Sequence, residues 1–243
     1  METKSNKTIV LECYRKIIRD MDLSVVNDYV HEDYIQHSPT IKDGRAGLVE
    51  MLTIMKSLPK PAEKSPSPIV RVIAEGDFVA IHLDVKFMGK QLAVVDLMRL
   101  KDGKLAEHWD AGQLYEITDS PITIINGSTV IEDSVNAERG KALVRKFYDK
   151  VLNGDRSSHH DYFTDVFIEH SQVNGLLNTQ GYNIEIKRIM AEGNFVVAHC
   201  EYAGIDTVAA CFDIFKLEDN KIAEHWNVWQ LVPEVMAHGN GMF

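Results

Sequence analysis

The chain has 243 residues, a formal net charge of −10, 45% hydrophobic residues and 26% charged ones. That size and balance suit one large soluble domain or two compact ones. An acidic chain with no basic stripe argues against nucleic acid and against an anionic membrane surface as partners.

The opening METKSNKT is polar, without the apolar stretch of a signal peptide, and no run long enough to span a membrane follows. Cys13, Cys200 and Cys211 are odd in number and sit in apolar periodic segments, as buried thiols of a reducing compartment do. The cytoplasm is therefore the expected location. Ile9, Cys13, Ile17 and Met21 recur every four residues and predict an amphipathic helix. After DYIQHS at 33–38, the segment 44–60 carries Leu48, Met51, Leu52 and Met55 at helical spacing. Residues 78–87 alternate, with Val79, Ile81, Leu83, Val85 and Phe87 on one face of a predicted strand. A second strand covers 92–100, and Asp102-Gly103 is a hairpin turn into a third over 104–116.

The pattern then starts again. A small, polar stretch over 118–137 reads as a linker, and Ala142, Val144, Phe147, Tyr148 and Val151 predict a second amphipathic helix. AEGDFVAIH at 74–82 returns as AEGNFVVAH at 191–199, and AEHWD at 106–110 returns as AEHWN at 223–227. The offset of 117 holds without a gap from Ala74 to Gln113, with 16 identities in 40 positions. Upstream, DYIQHS pairs with VFIEHS at 166–171 at an offset of 133, so the second copy is 16 residues shorter where the first has the 44–60 helix. The expected organisation is α+β, with domain 1 over 1–117 and a shortened domain 2 over 138–243 that lacks one helix.

Tyr34-Ile-Gln36-His37, Asp43-Gly44-Arg45, Ala74-Glu75-Gly76-Asp77, Asp96-x-x-Arg99 and the run from Asp102 through Glu107-His108-Trp109-Asp110 to Gln113 together resemble the SnoaL-like branch of the nuclear transport factor 2-like superfamily. Within it, the group of predicted aldol-condensation enzymes is the most similar. The resemblance covers most of the first repeat and about three quarters of the second. It implies two tandem cone-shaped domains, each with helices packed on a curved antiparallel sheet. Such domains usually pair through the outer faces of their sheets, so the chain is expected to form an intramolecular pseudo-dimer that itself could pair into a homodimer. The superfamily includes ketosteroid isomerases, dehydratases and epoxide hydrolases beside non-catalytic ligand binders, so fold alone does not choose a reaction.

Asp96 shares its strand face with Leu92, Val94, Met98 and Leu100, and Asp213 sits likewise in the second repeat. A carboxylate there is either a working acid or base, or a core group bonded to a histidine. His108 and Asp110 lie two apart on one strand and share a face. They reach Asp96 if that face lines the cone; the alternative turns Glu107 and Trp109 inward and leaves His108 and Asp110 on the pairing face. The candidate catalytic set is Asp96, His108, Asp110 and His37. Tyr34, Gln36, Trp109, His82, Asp213, His225, His170 and Trp226 are candidate ligand-lining residues. Of these, His82, like His199, stands opposite the clean apolar face, where an interface role competes. His37, His82, His108 and Asp110 have metal-ligand chemistry but no metal-binding spacing, so neither metal nor cofactor is expected. The expected function is cofactor-independent proton abstraction beside a carbonyl, leading to aldol cyclisation, isomerisation or dehydration of a small or cyclic compound in domain 1. The alternative is a non-catalytic module for a small apolar ligand, with domain 2 structural.

Overall fold

The computed structural model of the chain describes residues 4–58, 66–133, 135–171 and 175–243. The last two residues of the 44–60 segment lie outside that set. Helix α1 (Asn6–Cys13) starts at Ser5, whose hydroxyl accepts from Thr8 N. It runs into a wider π-helical turn over Tyr14–Arg19. A short α2 (Val26–Tyr29) leads into β1 (Val30–Gln36), and α3 (Gly44–Ser57) crosses over to the meander. The meander is β2 (Ile69–Glu75), β3 (Phe78–Phe87), β4 (Lys90–Lys101) and β5 (Lys104–Tyr115). At the β4–β5 hairpin, Asp102 and Gly103 both take positive φ, the turn that the Asp-Gly pair predicts.

The second copy repeats this plan with α4 (Ala137–Phe147), a π-helical turn over Tyr148–Leu152, and β6 (Phe163–Glu169). Then come β7 (Asn183–Glu192), β8 (Phe195–Ala203), β9 (Val208–Glu218) and β10 (Lys221–Leu231). Residues 170–182 stand where the first copy has α3, with no helix among the described ones. The sheet orders are β1-β5-β4-β3-β2 and β6-β10-β9-β8-β7. Each sheet is antiparallel except at its first strand, which runs parallel to the last because a longer crossover, helical in the first copy, and not a hairpin connects it onward. Val144, Phe147, Tyr148 and Val151 of the second helix are buried as their spacing predicts, whereas Ala142 is exposed.

Alternation gives each sheet two apolar faces. The inner face of the first carries Val79, Ile81, Leu83, Met98 and Leu100 against Val10, Cys13 and Ile17 of the first helix. The inner face of the second packs Cys200, Tyr202, Cys211 and Phe215 on Val144, Phe147 and Tyr148. The outer faces meet each other: Ala80, Val95, Leu97, Trp109 and Ala111 share one core with Val197, Phe212, Ile214, Trp226 and Val228.

That contact is reciprocal. Gln113 Oε1 accepts from Trp229 N at 3.0 Å, and Gln230 Oε1 accepts from Gly112 N at 2.8 Å. Ala74 N donates to Glu192 at 2.7 Å, and Ala191 N donates to Glu75 at 2.8 Å. The Arg71 guanidinium lies 4.0 Å over the Trp226 ring, and Arg188 lies 3.8 Å over Trp109. Much of what the two repeats have in common is thus the surface by which they touch.

Candidate functional site

The π-helical turns matter because each turns a tyrosine into its cone. In the first domain, Tyr14 Oη donates to Asp96 Oδ2 at 2.8 Å. The β4–β5 pairing sets Asp96 directly opposite Asp110, with Met98 opposite His108. All of these lie on the inner face. His108 Nε2 is 3.4 Å from Asp96 Oδ1, and its Nδ1 is 3.0 Å from Gln36 Oε1. The ligand-type atoms of Asp96, His108 and Asp110 lie within 4.8 Å of one another. Two carboxylates and an imidazole at that spacing suit proton transfer, and they are also the described residues able to hold a cation.

Gln36 fixes the histidine's protonation. Its Oε1 already accepts from His37 N at 3.0 Å and Ser38 N at 2.9 Å, and its Nε2 donates to Tyr34 Oη at 3.0 Å. The oxygen therefore faces His108, and Nδ1 must carry a proton to donate to it. Nε2 then faces a carboxylate oxygen, which favours a second proton and an imidazolium. Burial alone would pull the His108 pKa down, but the Asp96 carboxylate beside it overrides burial and raises it. Burial raises the pKa of Asp110; the His108 cation opposes this and the Asp96 charge adds to it. Asp110 Oδ1 is out of solvent with no hydrogen-bond partner among the described residues.

The second domain builds the same frame and closes it. Asp213 Oδ2 accepts from Tyr148 at 2.5 Å and from Tyr202 at 2.9 Å, and Asp213 Oδ1 meets His225 Nε2 at 3.0 Å. His225 Nδ1 meets Glu169 Oε1 at 2.8 Å. Both ring nitrogens face carboxylates, so His225 is charged. Against the downward pull of burial, Glu169 and Asp213 raise its pKa to about 9. Glu169 is itself held down to about 2, because the His225 cation outweighs the burial that would raise it. Here the side chains of Asp213 and His225 are both 0% exposed, whereas those of Asp96 and His108 are 11% and 13% exposed. Solvent reaches the first site and not the second.

The structure thus brings together Asp96, His108, Asp110, Gln36 and Tyr34 in one cone, and Asp213 and His225 in the other. The remaining candidates do not join them. Trp109 and Trp226 point out of the cones into the core between the sheets. His37 goes with them: it stacks on Trp109 at 4.8 Å, binds Glu107 Oε1 at 2.9 Å, and meets the Gly241 carbonyl at 3.0 Å. Strand alternation explains the shift, since Glu107 and Trp109 occupy the face opposite His108 and Asp110. His170 mirrors His37, stacking on Trp226 at 4.5 Å and binding Glu224 at 3.0 Å. His82 lies on this outer face too, fully buried, 3.1 Å from Arg71 Nη1.

Tyr14 and Tyr148, as well as Tyr202, escaped the sequence reading. Tyr148 was visible only as one apolar position of a helix, and nothing in periodicity announces a π-helical turn. The signal available for Tyr202 was its replacement of Val85 at the 117-residue offset.

Fold and site together define a pair of cone-shaped α+β domains, each with a buried carboxylate–histidine pair at its centre. Residues 10–108 match the family model described as SnoaL-like domain. No curated protein matches the chain by sequence. Among solved structures, a candidate polyketide cyclase from Streptomyces antibioticus is 17% identical, with a TM-score of 0.36, over 45% of this chain and 92% of its own. An NTF-2 like protein from Burkholderia xenovorans is 18% identical over 48% and 88%, with a TM-score of 0.37. An LEH-like epoxide hydrolase from M. tuberculosis is 17% identical over 39% and 84%, with a TM-score of 0.32. Among the described residues, no helix is long and apolar enough to cross a membrane.

Proposed function

We propose that the first domain is a proton-transfer site for a small or cyclic carbonyl compound, and that the second is its structural partner in a pseudo-dimer. Asp110 takes the proton from the carbon next to the carbonyl. Burial supports this role by holding its pKa above the ordinary carboxylate range, which makes it a better base. The His108 imidazolium is held at Nδ1 by Gln36, and its Nε2–H, with Nε2 3.4 Å from Asp96 Oδ1, turns from that long contact to donate to the oxygen that gains charge as the enolate forms. Cyclisation by aldol condensation, isomerisation and dehydration all begin with this step.

The observation that carries the reading is the contrast at one position. Asp110 is an acid with an unpartnered oxygen in a site that solvent reaches, while its counterpart Asn227 cannot ionise and sits beside a sealed carboxylate. The test is hydrogen–deuterium exchange at the α-carbon, followed by NMR, over a panel of cyclic ketones and 1,3-dicarbonyl compounds. Asp110→Asn should slow enzyme-dependent exchange by about 10²–10⁴. Full exchange in that variant removes Asp110 as the base. A panel member that binds without exchanging favours the non-catalytic reading.

A further inference from the structure

The sealed site of the second domain shows what its carboxylate is built to hold. Asp213 Oδ2 accepts two phenolic hydroxyls, from Tyr148 and Tyr202. The Tyr202 ring is held edge-on by Trp229, with centroids 4.8 Å apart. Tyr148 has a structural counterpart in Tyr14, which also opens a π-helical turn and donates to Asp96 Oδ2 in the same way. Tyr202, however, corresponds to Val85, and Trp229 to Gly112. A Cβ built at Gly112 would meet nothing nearer than Val94 Cγ2 at 3.8 Å, with Leu92 Cδ2 and Gln230 Oε1 at 3.9 Å. Leu92 stands where the second domain has Ala209 and takes back part of the volume that Tyr202 and Trp229 fill there. Val85, Leu92 and Val94 are all partly exposed, whereas Tyr202, Ala209 and Cys211 are fully buried. Where the second cone holds a tyrosine and a tryptophan, the first has a valine and a glycine beside partly exposed side chains.

We propose that the first domain binds a planar six-membered ring carrying a phenolic or enolic hydroxyl, and that this hydroxyl donates to Asp96 as Tyr202 donates to Asp213. Val85, Leu92 and Val94 supply the apolar wall against the ring, and Tyr14 occupies the carboxylate's other acceptor direction. An anion is a poor ligand here, because Asp96 and Asp110 both face the site. This names the ligand class of the site to which we assign proton transfer, since an enol is the form that transfer produces. It is tested by binding alone, so the two can fail separately.

The probe is p-cresol, the tyrosine side chain as a free molecule, with toluene as the same ring without the hydroxyl. Titration calorimetry and saturation-transfer NMR on the full chain should show one p-cresol bound at least tenfold more tightly than toluene, as a hydroxyl donating to a carboxylate implies. Val85→Tyr, which writes the second domain's tyrosine into the first, should weaken p-cresol binding at least tenfold. Tyr202→Val should open the second cone and add a second p-cresol site. Equal affinity for p-cresol and toluene overturns the proposal, and so does undiminished p-cresol binding by folded Val85→Tyr. If Val85→Tyr does not fold, the p-cresol and toluene comparison and Tyr202→Val still decide. Binding of p-cresol without α-proton exchange on any ketone leaves this inference standing and removes the catalytic one. Exchange without p-cresol binding does the reverse.

Discussion

Raising the pH should unlock the second domain through one residue. His225 is fully buried between Glu169 of β6 and Asp213 of β9, with Tyr148 and Tyr202 closing the far side of Asp213. Its folded pKa is about 9 against an ordinary 6.5. A folded pKa above the unfolded one means that folding favours the charged ring. The stabilisation is fully present below 6.5 and is lost as the pH rises through about 9. Within that window each pH unit costs about 1.4 kcal/mol, and the whole span costs about 3 kcal/mol. No discount for solvent applies, because neither partner atom of the His225–Asp213 pair is exposed. Urea denaturation followed by tryptophan fluorescence, at several pH values across the window, reads the slope directly. His108 and the buried thiols add loss of the same sign, so the diagnostic quantity is the difference between wild type and His225→Gln. The variant should be less stable at the acid end of the window, and its slope should be shallower by about 1.4 kcal/mol per unit. Equal slopes in the two proteins would refute the reasoning, since His225 would then fold uncharged.

Other consequences follow from the same geometry. His82 and His199 are buried beside Arg71 and Arg188, and burial chiefly, with the arginine charge adding to it, holds each pKa near 3. Their stabilisation is present above the ordinary 6.5 and is lost as the pH falls towards 3, at about 3 kcal/mol per unit for the two together; denaturation of His82→Gln/His199→Gln should show a flatter acid limb. Gln113→Ala strands Trp229 N and Gln230→Ala strands Gly112 N, so each should cost about 1–3 kcal/mol, by a similar amount, in chemical denaturation. Trp226→Ala should cost about 3–5 kcal/mol and loosen the contact between the sheets, measurable as faster amide exchange in β4 and β9. Asn227→Asp, which restores the acid of the first repeat, should destabilise the chain without adding α-proton exchange. It places a further carboxylate beside sealed Asp213 and opens no path for substrate.

Periodicity reached the fold because helices and strands here follow their own rules. The alternation in 78–87 and the Asp102-Gly103 turn reappear in β3 and its neighbouring hairpin, and the repeat announced two copies. It named Asp96, His108 and Asp110 but left open whether they share a face; the pairing of Asp96 with Asp110 and of Met98 with His108 is what brings them together. What failed was the sidedness of Trp109 and His37. A sheet with apolar residues on both faces has no solvent side for alternation to find, and 105–113 is such a strand. The parallel pairing of β1 with β5 was equally hidden, because strand direction leaves no mark on a seven-residue segment.

The repeated AEHW sequence divides into two functions by the parity of the strand. Glu107 and Trp109 face outward: Trp109 packs in the core shared by the sheets and takes Arg188 of the other domain on its ring, while Glu107 holds His37 and Arg99. His108 faces inward to Asp96. A pairing surface related by a two-fold needs the same outward residues in both copies, so Glu107 and Trp109 recur as Glu224 and Trp226. The inward residues are under no such constraint. In the second copy they have drifted towards a core: Tyr202 for Val85, Trp229 for Gly112, Asn227 for Asp110, and a second carboxylate, Glu169, to keep His225 charged. A domain whose acid is fully bonded gains stability and loses the open acceptor that chemistry needs. On this reading the second copy supplies a stable outer face, and the first is free to keep an unpartnered carboxylate oxygen inside its own.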